Sequence, residues 1–492
     1  MIILDKQLDK IFILYNPQKE QVNVGENLII YEPNLPIKPN GVIAQITEEK
    51  PYITPGMRES LLLESLAPEV ETVATPTELE AAKSELRNQK LLIAKIRLSV
   101  HFQNGKVESV MAWTGWSPTP SCKIQKIGDE EILEFIDLKG KNDNITVIGK
   151  TIGKAQLDLN LYYLHGITVF IGGRGTGKSH LAKSLALKLV DTGKKVIVFD
   201  VNDEWESMRW NQDGSNSPYY DKIVKIDPGV NASFDLAYLG KPTFMAVLKA
   251  MGLEETKASV QKFFNIWDRL GGELSLKGVI NEVNNLSDEK VKEALKTRLE
   301  QLKGSGILTE EKIGTRIEHI LKKMVDGGLL VVNLKEKTRL IQFIIVQLFI
   351  SKLADILTKN PNETLVLILE EAQIYMEQSD IQEIVTRLRH LGLHQWYITN
   401  NPKSLPPFLL THVNNWFIFN LTNEQDIVYL QNSLPLDVDS ALTFIKMLPP
   451  RRTLVLINET YKGRNKNYPF IVETNPLPYR TAGITRELYP EP

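Results

Sequence analysis

Residues 172–179 read Gly-Gly-Arg-Gly-Thr-Gly-Lys-Ser, a complete G-x-x-x-x-G-K-[ST] phosphate loop. The chemistry of such a loop constrains everything around it. Its glycines let backbone N–H groups converge on phosphate oxygens, its lysine reaches the β- and γ-phosphates, and its hydroxyl can ligate Mg²⁺. That geometry needs a buried strand before the loop and a helix after it. The flanks meet this demand. Ile167-Thr-Val-Phe-Ile171 is apolar and β-branched, and Leu181, Leu185 and Leu189 recur at i, i+4, i+8. Gly172, Gly173, Arg174, Gly175, Thr176, Gly177, Lys178, Ser179 and His180 are therefore the expected residues around a bound nucleoside triphosphate, with Lys178 also catalytic and Ser179 also a metal ligand.

At 492 residues the chain is too long for one core. Residues 1–60 alternate apolar and polar positions between turn signals, as in Ile11-Phe-Ile-Leu-Tyr and Gly41-Val-Ile-Ala-Gln-Ile, which suggests a small β-barrel or sandwich; β patterning returns at 91–120, and this N-terminal domain is expected to span 1–150. Helical spacing interrupts it at 57–90, and Asn104-Gly105 marks a hairpin. From about 151 the pattern is α/β. Strands are expected at 167–171, 196–200, 329–334, 365–369, 396–399, 416–419 and 453–457 in a mainly parallel sheet. Residues 151–239 and 326–474 read as two parts of this core, 240–325 as a helical insertion, and 475–492 as an arm. The greasy stretch from Leu340 to Leu357 carries Gln342, Gln347, Lys352 and Asp355, so it reads as a buried amphipathic helix rather than a membrane span. A lone cysteine, Cys122, excludes a disulfide framework and a cysteine-based zinc site, and with no signal-peptide pattern at the N-terminus a cytoplasmic location is expected. The net charge of −2 offers no whole-chain basic footprint, so any DNA contact must come from a local patch or from residues converging in an oligomer.

A phosphate loop needs acidic partners. Leu365-Val-Leu-Ile-Leu delivers Glu370-Glu371 to a strand's C-terminal edge, where phosphate loops also sit. Glu371 is favoured as the catalytic base and Glu370 as its partner on the metal. Asp200, ending the strand Val196-Ile-Val-Phe, is a further metal candidate if that strand adjoins the loop's strand; its alternative role is turn capping. Thr399-Asn400 closes another strand, where Asn400 could sense the γ-phosphate or simply cap a turn before proline. Arg387 and Arg389 lie off the apolar stripe of a helix opened by Ser379-Asp-Ile-Gln, placed either as an arginine finger toward a neighbouring subunit or as solvated surface charge. Tyr461 to Tyr468 interleaves aromatics with cations, as a nucleic-acid contact or a hairpin turn.

Together these segments resemble the HerA branch of the HerA–FtsK superfamily of hexameric DNA-translocating ATPases. The resemblance rests on Gly149 to Ser179, Asp200-Val-Asn-Asp-Glu-Trp, Glu370-Glu-Ala-Gln, Arg389-His-Leu-Gly-Leu through Ile398-Thr-Asn-Asn-Pro, and Leu421-Thr-Asn-Glu-Gln-Asp. The N-terminal segment resembles the small HAS barrel that precedes HerA cores. The resemblance implies a RecA-like core, ATP with Mg²⁺ bound between subunits of a homo-hexamer, and double-stranded DNA in the channel. It also implies a partner nuclease or, in anti-phage defence systems, an effector such as an NAD-consuming Sir2-like enzyme. Three positions depart from the pattern: Gln373 replaces the usual His, Asn400 the sensor Gln, and Asp203 a usual Gly. The alternative function is a ring that uses ATP to assemble and regulate a partner enzyme with little processive motion.

Overall fold

The computed structural model describes residues 1–33, 35, 38–52, 88–103, 105–140, 144–253, 257–310, 314–376, 388–458, 460–461, 464–465 and 467–482. The helical stretch expected at 57–90 lies outside the described residues up to 87, and Lys90 at its end already belongs to a strand; the helix expected to carry Arg387 lies outside them too, as do the side chain of Arg389, most of the 461–468 cluster and the end of the arm. The chain forms two compact units. One comprises Met1–Asn160 with Asn420–Thr474, the other Leu161–Phe419 with Asn475–Pro492.

The first unit opens with β1 (Ile2–Gln7), β2 (Lys10–Tyr15), β3 (Asn27–Tyr31), β4 (Gly41–Pro51), β5 (Lys90–Gln103), β6 (Lys106–Ala112) and β7 (Lys123–Ile127). They pair antiparallel in the order β1-β2-β5-β4-β3-β7, with β6 on β5. The β5–β6 hairpin is the one expected from Asn104-Gly105, and Gly105 takes the left-handed φ of 80° that the turn requires. Alternating residues of β2, Ile11, Ile13 and Tyr15, meet Leu28, Ile30, Val42, Ala44, Leu92 and Ala94 in one core. Bulges between Ile43 and Ala44 and between Ile46 and Glu48 let the long β4 and β5 bend around it. A helix, Asp129–Ile136, leads to the antiparallel pair β8 (Ile145–Thr151) and β9 (Gln156–Asn160).

The second unit holds β10 (Ile167–Ile171), β11 (Lys195–Asp200), β12 (Ile223–Ile226), β13 (Gly328–Asn333), β14 (Leu365–Glu370), β15 (Leu393–Thr399) and β16 (Val413–Ile418). Their order is β12-β13-β11-β14-β15-β10-β16, and each of the six pairings is parallel. The near-continuous apolar runs of the central strands follow from burial on both faces. Five α-helices, Leu236–Ala250, Lys257–Leu270, Leu276–Asn284, Glu289–Gly304 and Ile317–Lys323, lie between β12 and β13 among the described residues.

Helix Arg339–Lys359 is long and apolar enough to cross a membrane by length and composition, yet 72% of its most apolar window is buried inside the fold. Of the polar residues noted in it, Gln342, Gln347 and Lys352 are buried and Asp355 is exposed. The Gln342 amide donates to the Leu334 carbonyl at 3.0 Å, and the Lys352 ammonium donates to the Tyr238 carbonyl at 2.8 Å while lying 4.1 Å from that ring's centre. A helix that is apolar nearly all round and satisfies its few polar groups internally is a core helix.

The chain then returns to the first unit through helices Glu424–Gln431 and Val438–Met447, β17 (Arg452–Ile457), the small hairpin β18 (Thr460–Tyr461) and β19 (Arg464–Asn465), and β20 (Phe470–Thr474). β20 pairs antiparallel with both β17 and β8. The region read from sequence as the core's second part, 326–474, thus divides after Phe419. Polar contacts within the unit explain the division. Arg97 on β5 bonds Asp437 at 2.9 Å and Ser440 at 2.8 Å, Lys95 reaches Asp437 at 3.1 Å, and Asp437 caps the helix by accepting the Ser440 N–H. Tyr468 donates to Asn27 at 2.6 Å, and Gln45 to the Pro469 carbonyl at 2.9 Å.

Burial acts to raise the Asp437 pKa, but the Arg97 charge and the Ser440 hydrogen bonds outweigh it and hold the carboxyl well below the usual range. Its stabilising contribution is complete above the ordinary aspartate pKa and is lost as pH falls through the depressed folded value. Asp437→Asn is expected to destabilise this unit by about 2 kcal/mol at neutral pH in urea unfolding, with the difference from wild type shrinking in strong acid.

Candidate nucleotide site

The edge of the parallel sheet is built so that three loops leave it at one level. Ile171, the last residue of β10, lies opposite Thr399 on β15, and Ile398 lies opposite Glu370 on β14. Neighbouring strands are roughly 5 Å apart. The phosphate loop after β10, the Thr399-Asn400 turn after β15 and the Glu370-Glu371 corner after β14 therefore emerge side by side.

The phosphate loop is shaped by its glycines. A Cβ on Gly172 would come within 2.6 Å of Phe419, and Gly177 precedes the helix Lys178–Asp191 with φ at 112°. The Gly173 carbonyl accepts the Thr176 hydroxyl at 2.8 Å and the Lys178 ammonium at 2.6 Å, closing the loop on itself. Burial lowers the Lys178 pKa to about 8, against the pull of Glu371 and Glu370. A phosphate anion would restore the full ammonium. Arg174 and Gly175 are exposed at the loop's tip, and Ser179 is the helix's second residue. His180 accepts the Leu477 N–H at 2.5 Å, so part of its capacity serves the C-terminal arm rather than a ligand.

Asp200 does not adjoin the phosphate loop's strand. β11 lies beyond β14 and β15, so the adjacency its metal role was made conditional on is not met. Its carboxylate is fully buried and organises the next turn, accepting the Asn202 N–H at 3.1 Å and the Trp205 N–H at 2.9 Å. Within that turn Asp203 has a left-handed φ of 60°, which explains why glycine suits the position; its carboxylate is held by Lys225 at 2.7 Å.

The interior of the site contains residues that sequence reasoning did not single out. Lys183, on the inner face of the phosphate-loop helix and 2% exposed, pairs with Glu204 at 2.7 Å and lies 5.7 Å from the Trp205 ring centre. Trp205 is fully buried, and its indole N–H donates to Glu370 at 3.3 Å. Lysine on a helix ordinarily signals a solvated face, so nothing in the pattern marked Lys183. Trp205 lay within the Asp200-Val-Asn-Asp-Glu-Trp motif, but its reach to β14 depends on strand order.

Glu370 is 2% exposed, and its second oxygen has no hydrogen-bond partner. Burial first, and the Asp200 charge second, push its pKa up to about 8. Burial also raises Asp200, against two backbone N–H groups and the Lys183 charge that lower it. Glu371 turns out of the strand with φ at 50°, a left-handed conformation that costs a non-glycine residue about 1 kcal/mol. Asn400 is half-buried at the edge between the loop and the two glutamates. Arg389 begins a short turn, Arg389–Leu391, at the start of the segment leading into β15.

A carboxyl whose folded pKa is raised stabilises most at acid pH, and that contribution is lost between the ordinary glutamate value of 4.5 and about 8. Glu370→Gln keeps a neutral group there at all pH. Thermal unfolding is expected to show wild type losing a few degrees relative to the variant as pH rises through this window; parallel curves would contradict the burial account.

Comparisons with known proteins agree with this geometry. Residues 147–353 match the family model described as the central domain of helicase HerA. The fold is similar to VirB4 of Thermoanaerobacter pseudethanolicus (TM-score 0.52, 13% identity, covering 69% of this chain and 98% of that one). It is similar also to the plasmid coupling protein TrwB, solved with the ATP analogue ADPNP (TM-score 0.52, 14% identity, 73% and 94%) and with ADP and Mg²⁺ (TM-score 0.52, 14% identity, 72% and 94%). A curated relative, the chaperone ClpB of Mycoplasma pneumoniae, is 30% identical over 135 residues, 26% of this chain; the chain spans 18% of that protein's length. With its complete phosphate loop and paired acids, the chain is a P-loop ATPase, and its residues 147–353 are similar to the HerA central domain.

Proposed function

We propose that the chain hydrolyses ATP with Mg²⁺ as one subunit of a six-membered ring that moves double-stranded DNA through its centre. The observation that carries this reading is the common sheet edge, where the phosphate loop, Asn400 and Glu370-Glu371 leave three adjacent parallel strands. The match to the HerA central domain supports the DNA-motor assignment.

The loop N–H groups and Lys178 would bind the phosphates. Ser179 and Glu370 would hold Mg²⁺, and the residues fit it: Glu370 has a buried oxygen with no hydrogen-bond partner and a carboxyl whose pKa burial and the Asp200 charge raise, which a cation would lower. When bound, the ion would neutralise charge developing on the transferred phosphoryl group. Asp200 supports this site through the Trp205 turn. Glu371 would take the proton of the attacking water, and Asn400 would orient that water or sense the γ-phosphate. Arg389 or Arg387 of a neighbouring subunit would complete the charge stabilisation, a contribution worth about 10³–10⁵ in rate where it has been measured in other phosphate-loop enzymes.

The N-terminal sheet, read as HAS-barrel-like, would dock a partner nuclease or an NAD-consuming effector in the cytoplasm. Asn400 is one methylene shorter than the family's glutamine, which favours a second reading in which slow turnover licenses such a partner and drives little translocation.

ATPase assays with and without duplex DNA separate the two readings. The motor reading expects DNA-stimulated turnover reduced at least about 100-fold by Lys178→Ala and by Glu371→Gln. Turnover that ignores DNA and rises with a co-purifying protein would establish the regulator. Light scattering that shows a monomer with ATP bound would overturn both.

A further inference from the structure

Glu371 is joined to the Asn400 turn by a chain of hydrogen bonds that the proposed chemistry does not use. The Gln373 side-chain amide donates to Glu371 Oε2, and the Gln373 carbonyl oxygen accepts the Thr399 hydroxyl at 2.8 Å. The Thr399 hydroxyl oxygen in turn accepts the Asn401 N–H at 3.0 Å. Ser404 bonds the Asn401 carbonyl at 2.6 Å and lies 3.3 Å from the Thr399 hydroxyl, which fixes the turn. The donors run from the Asn401 N–H through Thr399 and Gln373 to the carboxylate, with the Asn401 carbonyl, 3.2 Å from the Thr399 hydroxyl, as a longer competing acceptor. Hydrogen bonds in such a chain strengthen one another.

The arrangement suits a control over aim. Glu371 sits on a left-handed corner just past β14, where its carbonyl accepts the Ile374 N–H at 2.9 Å and its carboxylate accepts from Gln373. Gln373 lies on the short turn Ala372–Ile374 that follows, half-buried, with both ends of its amide engaged. Thr399 is 1% exposed on β15, where its place is set by pairing with Ile171 at the root of the phosphate loop. A shift of the turn after β15 is therefore transmitted to the carboxylate through two side chains rather than through packing alone.

We propose that Gln373 is a positioning residue that ties the Glu371 carboxylate to the Thr399–Pro402 turn, so that the state of the turn sets the aim of the base. The proposal rests on reading Glu371 as the base. It also accounts for the exchange of histidine and glutamine at this position. An imidazole can donate to Glu371 through one nitrogen and accept from Thr399 through the other, and leucine can do neither.

The test compares steady-state ATP hydrolysis by the wild type, Glu371→Gln, Gln373→Leu, Gln373→His, Thr399→Val and the Gln373→Leu/Thr399→Val double variant, with binding of a fluorescent ATP analogue measured for each. Gln373→Leu and Thr399→Val are each expected to lower kcat by roughly 10- to 100-fold while KM and analogue affinity stay within about twofold, since misdirection of a bound catalytic group acts on the chemical step. The double variant should be no slower than the slower single variant, because both break one chain. Gln373→His should recover most of the rate. Full activity of Gln373→Leu in a protein that Glu371→Gln inactivates would overturn the relay and leave the site reading standing. So would additive losses in the double variant, or loss of analogue binding by both single variants, which would mark a structural role. A wild type without turnover, or turnover that survives Glu371→Gln, would overturn the site reading and the relay with it.

Discussion

Under the phosphate loop, Lys183, Glu204, Asp200 and Glu370 meet around one buried tryptophan, and the site's geometry depends on their mutual compensation. Taking a charge out of water costs several kcal/mol unless it is paired or neutralised. Lys183 is paired with Glu204, Asp200 is held by two backbone N–H groups, and the Glu370 carboxyl is pushed toward its neutral form. Trp205 joins the three solutions. Its backbone N–H serves Asp200, its indole N–H serves Glu370, and its ring faces the Lys183 ammonium. The phosphate-loop helix, the turn after β11 and the end of β14 are fixed to one another by this set, so none can shift without leaving a buried polar group unpaired.

The same cluster leaves the site electrostatically unfinished. Burial depresses the Lys178 ammonium and raises the Glu370 carboxyl, each toward its neutral form. Phosphate and a divalent cation would return both to their charged forms, so ligand binding and the protonation of the core are linked. Tyr375 adds to this, with a fully buried hydroxyl that has no hydrogen-bond partner and a pKa raised by burial and then by Glu370 and Asp200. Strain is present as well, since Glu371 occupies a left-handed corner next to the chemistry.

Much of this was legible in the sequence where local pattern decides structure. The apolar runs 167–171, 365–369 and 453–457 are short, rich in β-branched residues and leucine, and fit buried strands, and the Gly172–Ser179 spacing is that of a phosphate loop. What depends on three-dimensional order was not legible. Asp200 was placed conditionally beside the phosphates, but β14 and β15 intervene. The polar residues of Arg339–Lys359 suggested a wet face, yet Gln342 and Lys352 bond backbone carbonyls inside the unit. The break after Phe419 follows from Arg97 and Asp437, which lie 340 residues apart in sequence and have no local signature. Gln373 was noted only as a departure, and its link to Thr399 appears once β14 and β15 are neighbours.

The most direct measurement is a cryo-EM reconstruction of the Glu371→Gln protein with ATP and Mg²⁺, which arrests the site before chemistry. The account expects six subunits in a ring, phosphates on the 172–179 loop against Lys178, the metal between Ser179 and Glu370, and residue 371 facing the γ-phosphate with an arginine of the adjacent subunit opposite. A nucleotide bound away from this loop, a metal with Glu370 still turned to Trp205 alone, or a particle with no intersubunit contact at the γ-phosphate would contradict it.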